Sequence, residues 1–155
     1  ARRYAEATAE LERALALDPT LDTAYYFTGR ALVQLRRFDQ ARAAFARAKA
    51  LSPRDTNLVS AVAYLDAVSD HQGEASRAVV EIETLAERGR PFASQAAGIR
   101  AALGDKERAL DWLDRAQLRH EGPLVWLAID PRFDPLRDEP RFRALLRLMR
   151  LAPAE

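Results

Sequence analysis

The sequence predicts an all-α fold built from stacked pairs of helices. Three observations carry that expectation. Ala is abundant, charged residues make up 30% of the chain and glycine is scarce (6 of 155 residues), a composition that favours helix. Apolar residues recur at spacings of three and four, which gathers them on one face of a helix. Small residues and a proline also return after 34 positions, pairing Ala7 with Ala41, Ala14 with Ala48 and Pro19 with Pro53. Three equal offsets mark a repeated helix–turn–helix unit.

Residues 1–19 read as the second helix of a truncated unit. Ala7, Leu11, Ala14 and Leu15 share one face, and Asp18-Pro19 ends the helix. A chain that opens on a second helix is expected to be the C-terminal piece of a longer protein. Residues 22–53 form one complete unit. Gly29, Ala41 and Ala48 are small where two helices must approach, while Tyr25, Leu32, Phe38, Phe45 and Leu51 fill the space beside them. Pro53 stops the second helix because proline cannot continue one.

The order Tyr25, Gly29, Leu32, Ala41, Phe45, Ala48, Pro53 resembles the tetratricopeptide repeat, with Thr28 standing where that family has leucine. The resemblance implies a right-handed α–α superhelix of about three and a half repeats. Residues 55–90 read as a degenerate, stretched repeat. Asp55 is a candidate N-cap, and Val59, Val62, Ala63 and Asp66 fall where Tyr25, Thr28, Gly29 and Leu32 stood. Taking Gly73 as the turn and Ala78 as the partner helix's first small residue gives steps of 37 and 31 from Ala41 to Ala78 to Ala109. Residues 91–121 are the last repeat, with Pro91 in the first helical turn and Ala109, Leu113 and Ala116 in the partner helix.

Residues 123–155 are a non-repeat C-terminal helical cap. Asp130-Pro131 and Asp134-Pro135 each look like an N-cap followed by proline. Leu124, Trp126, Leu127, Ile129, Phe133 and Leu136 offer a dense apolar surface. The final helix carries the stripe Phe142, Leu145, Leu146, Met149, with arginines to its sides. A stack of repeats needs such a cap to keep its last hydrophobic face out of water. Residues 103–151 resemble the C-terminal ends of bacterial tetratricopeptide proteins whose repeats follow a winged-helix activator, a serine/threonine kinase or a class III cyclase.

The chemistry-bearing residue types are thinly spread. There is no cysteine, which removes disulfides and thiolate sites. His71 and His120 are the two histidines, and neither has the partner four residues on that a zinc helix requires. Capping accounts for Asp130 and Asp134, and no glycine-rich phosphate loop occurs. No catalytic, cofactor-binding or metal-binding residue is expected. The formal charge of +1 gives no general case for nucleic acid, and no apolar run approaches membrane-spanning length. A solvated outer face over a docked stripe explains the arginine-rich last helix better than a membrane-surface role does.

What remains is the concave surface. The resemblance implies that each unit's first helix lines it. Thr23, Tyr26, Arg30 and Gln34 share a face roughly opposite Tyr25, Gly29 and Leu32, and Asn57, Ser60, Tyr64 and Val68 follow 34 residues on, with Pro91, Ser94 and Gly98 after them. The expected function is a non-catalytic protein-interaction or sensory module of a larger bacterial regulatory protein. A protein or peptide partner would sit in this groove, without direct nucleic-acid binding. The alternative is a self-association or spacer module. Oligomeric state stays open. Cytoplasmic placement is the expectation, with the extracytoplasmic side open should a membrane helix precede the chain.

Overall fold

A computed structural model describes residues 2–151. Residue 1 and residues 152–155, the outermost parts of the first and last predicted segments, lie outside the described residues. Eight α-helices follow one another: α1 (Tyr4–Leu17), α2 (Asp22–Gln34), α3 (Phe38–Leu51), α4 (Asn57–Val68), α5 (Gln72–Glu87), α6 (Ala93–Ala102), α7 (Lys106–Leu118) and α8 (Pro140–Leu148). Two 3-10 segments, Gly122–Trp126 and Pro131–Leu136, lie between α7 and α8. No strand occurs among the described residues, so the fold is all-α. Each helix packs on its successor as far as α7, and α2, α4 and α6 also contact in series. Those three therefore form one layer, with α3, α5 and α7 behind it.

The pairs close over small residues. Ala41, Ala75 and Ala109 recur at 34 residues, and all three are 0% exposed. The spacing through α5 is thus even. Ala78, taken from sequence as the small residue of that helix, is only half-buried, and Gly73 belongs to the first turn of α5 and not to the connection before it. Val59, expected to face the core, is exposed while its neighbour Leu58 is buried. Asp66 occupies a buried position of α4 and holds Arg42 of α3 at 2.6 Å, so a polar pair replaces the apolar contact that Leu32 makes one unit earlier.

Helix starts differ from expectation where a tertiary partner supplies the cap. Pro91 precedes α6, and the helix begins at Ala93. The buried carboxylate of Glu121, from the turn after α7, accepts hydrogen bonds from the Ala93 and Ser94 N–H groups, both at 3.0 Å. A carboxylate at this end also complements the helix dipole. Asp55 accepts from the Asn57 N–H at 2.8 Å, just outside α4. Asp130 caps the second 3-10 segment by accepting from the Arg132 N–H at 3.0 Å. Asp134 does not cap a helix of its own. It lies inside that segment and pairs instead with Arg2 and Arg137.

The tail is part of the core. Leu124, Leu127, Phe133, Leu136 and Phe142 are at most 2% exposed and join one apolar cluster with α5, α6 and α7. Arg141 of α8 bridges to Asp111 and Asp114 of α7 at 2.7 and 2.6 Å. Trp126 and Ile129, expected in this buried surface, are 61% and 63% exposed. They face outward because Leu124 and Leu127 already take the inward positions of the turn.

Two substitutions test the close packing of α2. A Cβ on Gly29 would stand 2.5–2.9 Å from three atoms of the buried Phe45 ring. Overpacking of that kind costs about 1–3 kcal/mol, which outweighs the ~1 kcal/mol gained in helix propensity. Gly29→Ala should therefore lower stability by up to about 2 kcal/mol in urea unfolding. The Thr28 hydroxyl is buried with no hydrogen-bond partner, and an unsatisfied buried group costs about 1–3 kcal/mol. Thr28→Val, which removes it at constant shape, should raise the melting temperature.

Candidate functional site

The concave layer of α2, α4 and α6 is not an open trough. The 3-10 segment Pro131–Leu136 packs on α6, and the Arg132 side chain crosses Gly98 so closely that a Cβ there would meet its Cδ at 3.3 Å. The groove face expected on α6 is therefore covered by the chain's own tail. Ser94 is 1% exposed, and Gln95 is the α6 side chain that reaches the remaining space. Arg2, just before α1, ties on to the tail by donating two hydrogen bonds to Asp134, at 2.5 and 2.6 Å.

What is left is a cavity of about 430 Å³. Tyr26, Arg30 and Gln34 of α2 line it together with Asn57, Ser60 and Tyr64 of α4. Six of the seven groove residues read from sequence thus converge on one space, because a 34-residue offset puts equivalent faces of successive first helices side by side. Thr23 does not line it. It lies exposed at the start of α2, its N–H bonded to the Asp22 carboxylate at 2.6 Å. Ser60 donates its hydroxyl to the Asn57 carbonyl at 2.8 Å, which leaves the hydroxyl as an acceptor toward the cavity.

Tyr4 of α1 adds a phenol, and the rest of the polar wall is the tail's Asp130 and Arg132, of which the sequence offers Asp130 only as a cap. Asp130 is 7% exposed, and the Arg132 guanidinium meets it at 2.7 Å. Burial alone raises the Asp130 pKa. The hydrogen bonds and charge of Arg132, with a smaller contribution from the charge of Arg30, outweigh burial and hold the carboxyl below its ordinary value. Burial pushes the Tyr64 phenol up, and Gln34 and Arg132 beside it pull the other way less strongly, so Tyr64 is a neutral hydrogen-bonding group at physiological pH. The Arg30 guanidinium lies over the rings of Tyr26 and Phe27, 5.8 and 5.9 Å from their centroids. Two guanidinium groups, one carboxylate, three phenols (Tyr4, Tyr26 and Tyr64) and several amides can hold a polar chain by hydrogen bonds and stacking.

No group of three or more His, Asp or Glu side chains is placed to hold a metal ion among the described residues, and none of their helices is long and apolar enough to cross a membrane. Successive helix pairs around a polar concave cavity define a helical-repeat protein. The family model for the tetratricopeptide repeat matches residues 1–65. Residues 1–65 are thus similar to the tetratricopeptide repeat, and the helix pairs after residue 65 continue the same packing. No curated protein and no solved structure matches the chain. The repeat type is that of protein–protein interaction modules, and the fold is typically non-catalytic.

The Asp130–Arg132 pair has a pH signature. An unfolded Asp titrates near about 3.9, and the folded value lies lower. The pair's stabilisation is therefore fully present above the unfolded value and is lost as the pH falls through the folded one. Asp130→Asn should cost about 3–5 kcal/mol at neutral pH by leaving Arg132 unpaired. Its deficit against the parent chain should close in thermal melts as the pH drops below about 4.

Proposed function

We propose that the chain is a non-catalytic interaction module that receives a short segment of a protein partner in the cavity between α1, α2, α4 and the tail. The observation that carries this reading is the convergence of Tyr26, Arg30, Gln34, Asn57, Ser60 and Tyr64 on one space. Packed helices hold these side chains in place, so little ordering cost falls on the scaffold when a peptide binds. Covering of α6 by the tail favours a chain end or a bent segment over a long peptide running through. The likeness of residues 103–151 to the ends of bacterial signalling proteins supports a place downstream of a regulatory head domain, on the cytoplasmic side, with protein and not nucleic acid as the partner.

A second reading, self-association, has its own observation. Ala7 is exposed on α1, whereas Ala41, 34 residues on, is 0% exposed beneath α2. The Ala7 face of α1 opens onto the cavity and the neighbouring cleft, and a second copy could enter it there.

Selection from a random peptide library on the parent chain, followed by calorimetry, separates the two readings. Selected peptides should bind the Tyr26→Ala, Arg30→Ala double variant at least about tenfold more weakly, a loss of about 1.4 kcal/mol. Far-ultraviolet circular dichroism and melting temperature should stay close to parent. Equal loss of binding and stability would make the two residues structural. Dimers in sedimentation without any selected peptide would favour self-association.

A further inference from the structure

We propose that the open cleft between the start of α1 and the tail is a second docking surface, one that takes an acidic peptide segment carrying a large apolar side chain. The cleft measures about 840 Å³ and is lined by Trp126 and Ile129 together with Arg2, Arg3, Arg30 and Arg137. It meets the cavity described above at Tyr4, Ala7, Arg30, Asp130 and Pro131, but Trp126 and Ile129 line the cleft alone, and the proposal does not rest on the cavity's function.

Two independent features point to that occupant. The first is apolar. Trp126 and Ile129 are 61% and 63% exposed, in a tail whose Leu124, Leu127, Phe133 and Leu136 are at most 2% exposed. The Ile129 N–H donates to the Trp126 carbonyl at 2.9 Å, which closes a turn and fixes the two side chains relative to each other. An exposed tryptophan on a rigid, hydrogen-bonded turn beside arginines has the composition of an interface hot spot.

The second feature is charge. Five guanidinium groups, of Arg2, Arg3, Arg30, Arg132 and Arg137, share three carboxylates, of Glu6, Asp130 and Asp134. Two positive charges are left over in this one region of a chain whose total is +1. Arg30 lies on the Tyr26 and Phe27 rings and forms no ion pair among the described residues. Among the described residues Arg3 pairs only with Glu6, within its own helix turn, and both side chains are more than half exposed. Such pairs exchange readily for an incoming carboxylate. The interleaved carboxylates repel a continuous phosphate backbone yet leave sockets for single acidic side chains. That distribution favours an acidic peptide over a nucleic acid, although stacking on Trp126 would suit either.

The test uses the chain as it stands and the peptide acetyl-Glu-Asp-Leu-Phe-Glu-Asp-amide as probe. Trp112 is buried and Trp126 exposed, so a saturable blue shift in tryptophan emission on titration reports this site. Trp126→Phe should abolish the shift while calorimetry still detects binding. Trp126→Ala and Ile129→Ser, both at exposed positions, should each weaken binding at least about tenfold with unchanged helicity. Binding should weaken as salt rises. Replacing the acidic residues of the probe by Lys, or its Leu-Phe by Ser-Ser, should remove binding. The proposal is overturned if the parent chain does not bind the probe, if Trp126→Ala binds it as well as parent, or if the Lys peptide or oligothymidylate binds more tightly. It is equally overturned if Tyr26→Ala abolishes binding while Trp126→Ala leaves it intact, since the probe would then sit in the cavity. Loss of a parent dimer on Trp126→Ala, with no probe bound, would assign the surface to a second copy instead.

Discussion

Everything in this chain depends on helices brought together over residues with almost no side chain. Gly29 lets the Phe45 ring lie directly on the backbone of α2, and Ala41, Ala75 and Ala109 do the same work from the second helix of each pair. A packed interior tolerates added volume poorly. The small residues therefore set the separation within a pair, and their even 34-residue spacing sets how one pair sits on the next. The first helices then form a layer of their own, and the polar side chains on their outer faces have no choice but to converge. The cavity is a by-product of that geometry, filled with whichever side chains fall opposite the core.

The tail changes what the layer can do. A repeat stack of this type presents a groove running its full length, but here the 3-10 segments fold back and place Asp130 and Arg132 on α6. Their anchor is hydrophobic: Leu124, Leu127, Phe133 and Leu136 are buried with α5, α6 and α7. The segment is thus a fixed wall. It shortens the groove to the reach of α2 and α4, adds a charged pair to its lining, and turns Trp126 and Ile129 to the outside. One short stretch both ends the repeat array and creates the asymmetry of its surface.

Buried polar groups hold the later helices in register. Glu83 of α5 accepts two hydrogen bonds from Arg100 of α6, both at 2.7 Å, and one from the Trp112 indole of α7, also at 2.7 Å. The burial of Glu83 opposes ionisation, and its three hydrogen bonds overcome that and hold the carboxyl below its ordinary range. Glu121 joins the end of α7 to the start of α6 in the same way. Charged groups so buried are costly unless every one is partnered. These contacts specify one arrangement of three helices whose alanine-rich faces could otherwise slide past one another.

The sequence by itself determined the helix pairs, their small-residue interfaces and the groove face. These are local periodicities of about 3.6 residues repeated at a fixed offset, and Tyr26 with Gln34 or Asn57 with Tyr64 share a face whatever surrounds them. Where spacing alone had to choose between neighbouring candidates, it missed: Ala78 stood in for Ala75, and Val59 for Leu58, because adjacent alanines or aliphatic residues are alike until burial separates them. Only the tertiary structure decided the rest. Glu121 caps a helix 28 residues away from it in sequence, Arg2 and Asp134 meet across the length of the chain, and Arg132 lies on Gly98. Such contacts follow from how whole elements pack, and no local pattern encodes them. The same packing left Trp126 outside and Leu127 inside, one residue apart, since only one face of a tight turn can meet the core.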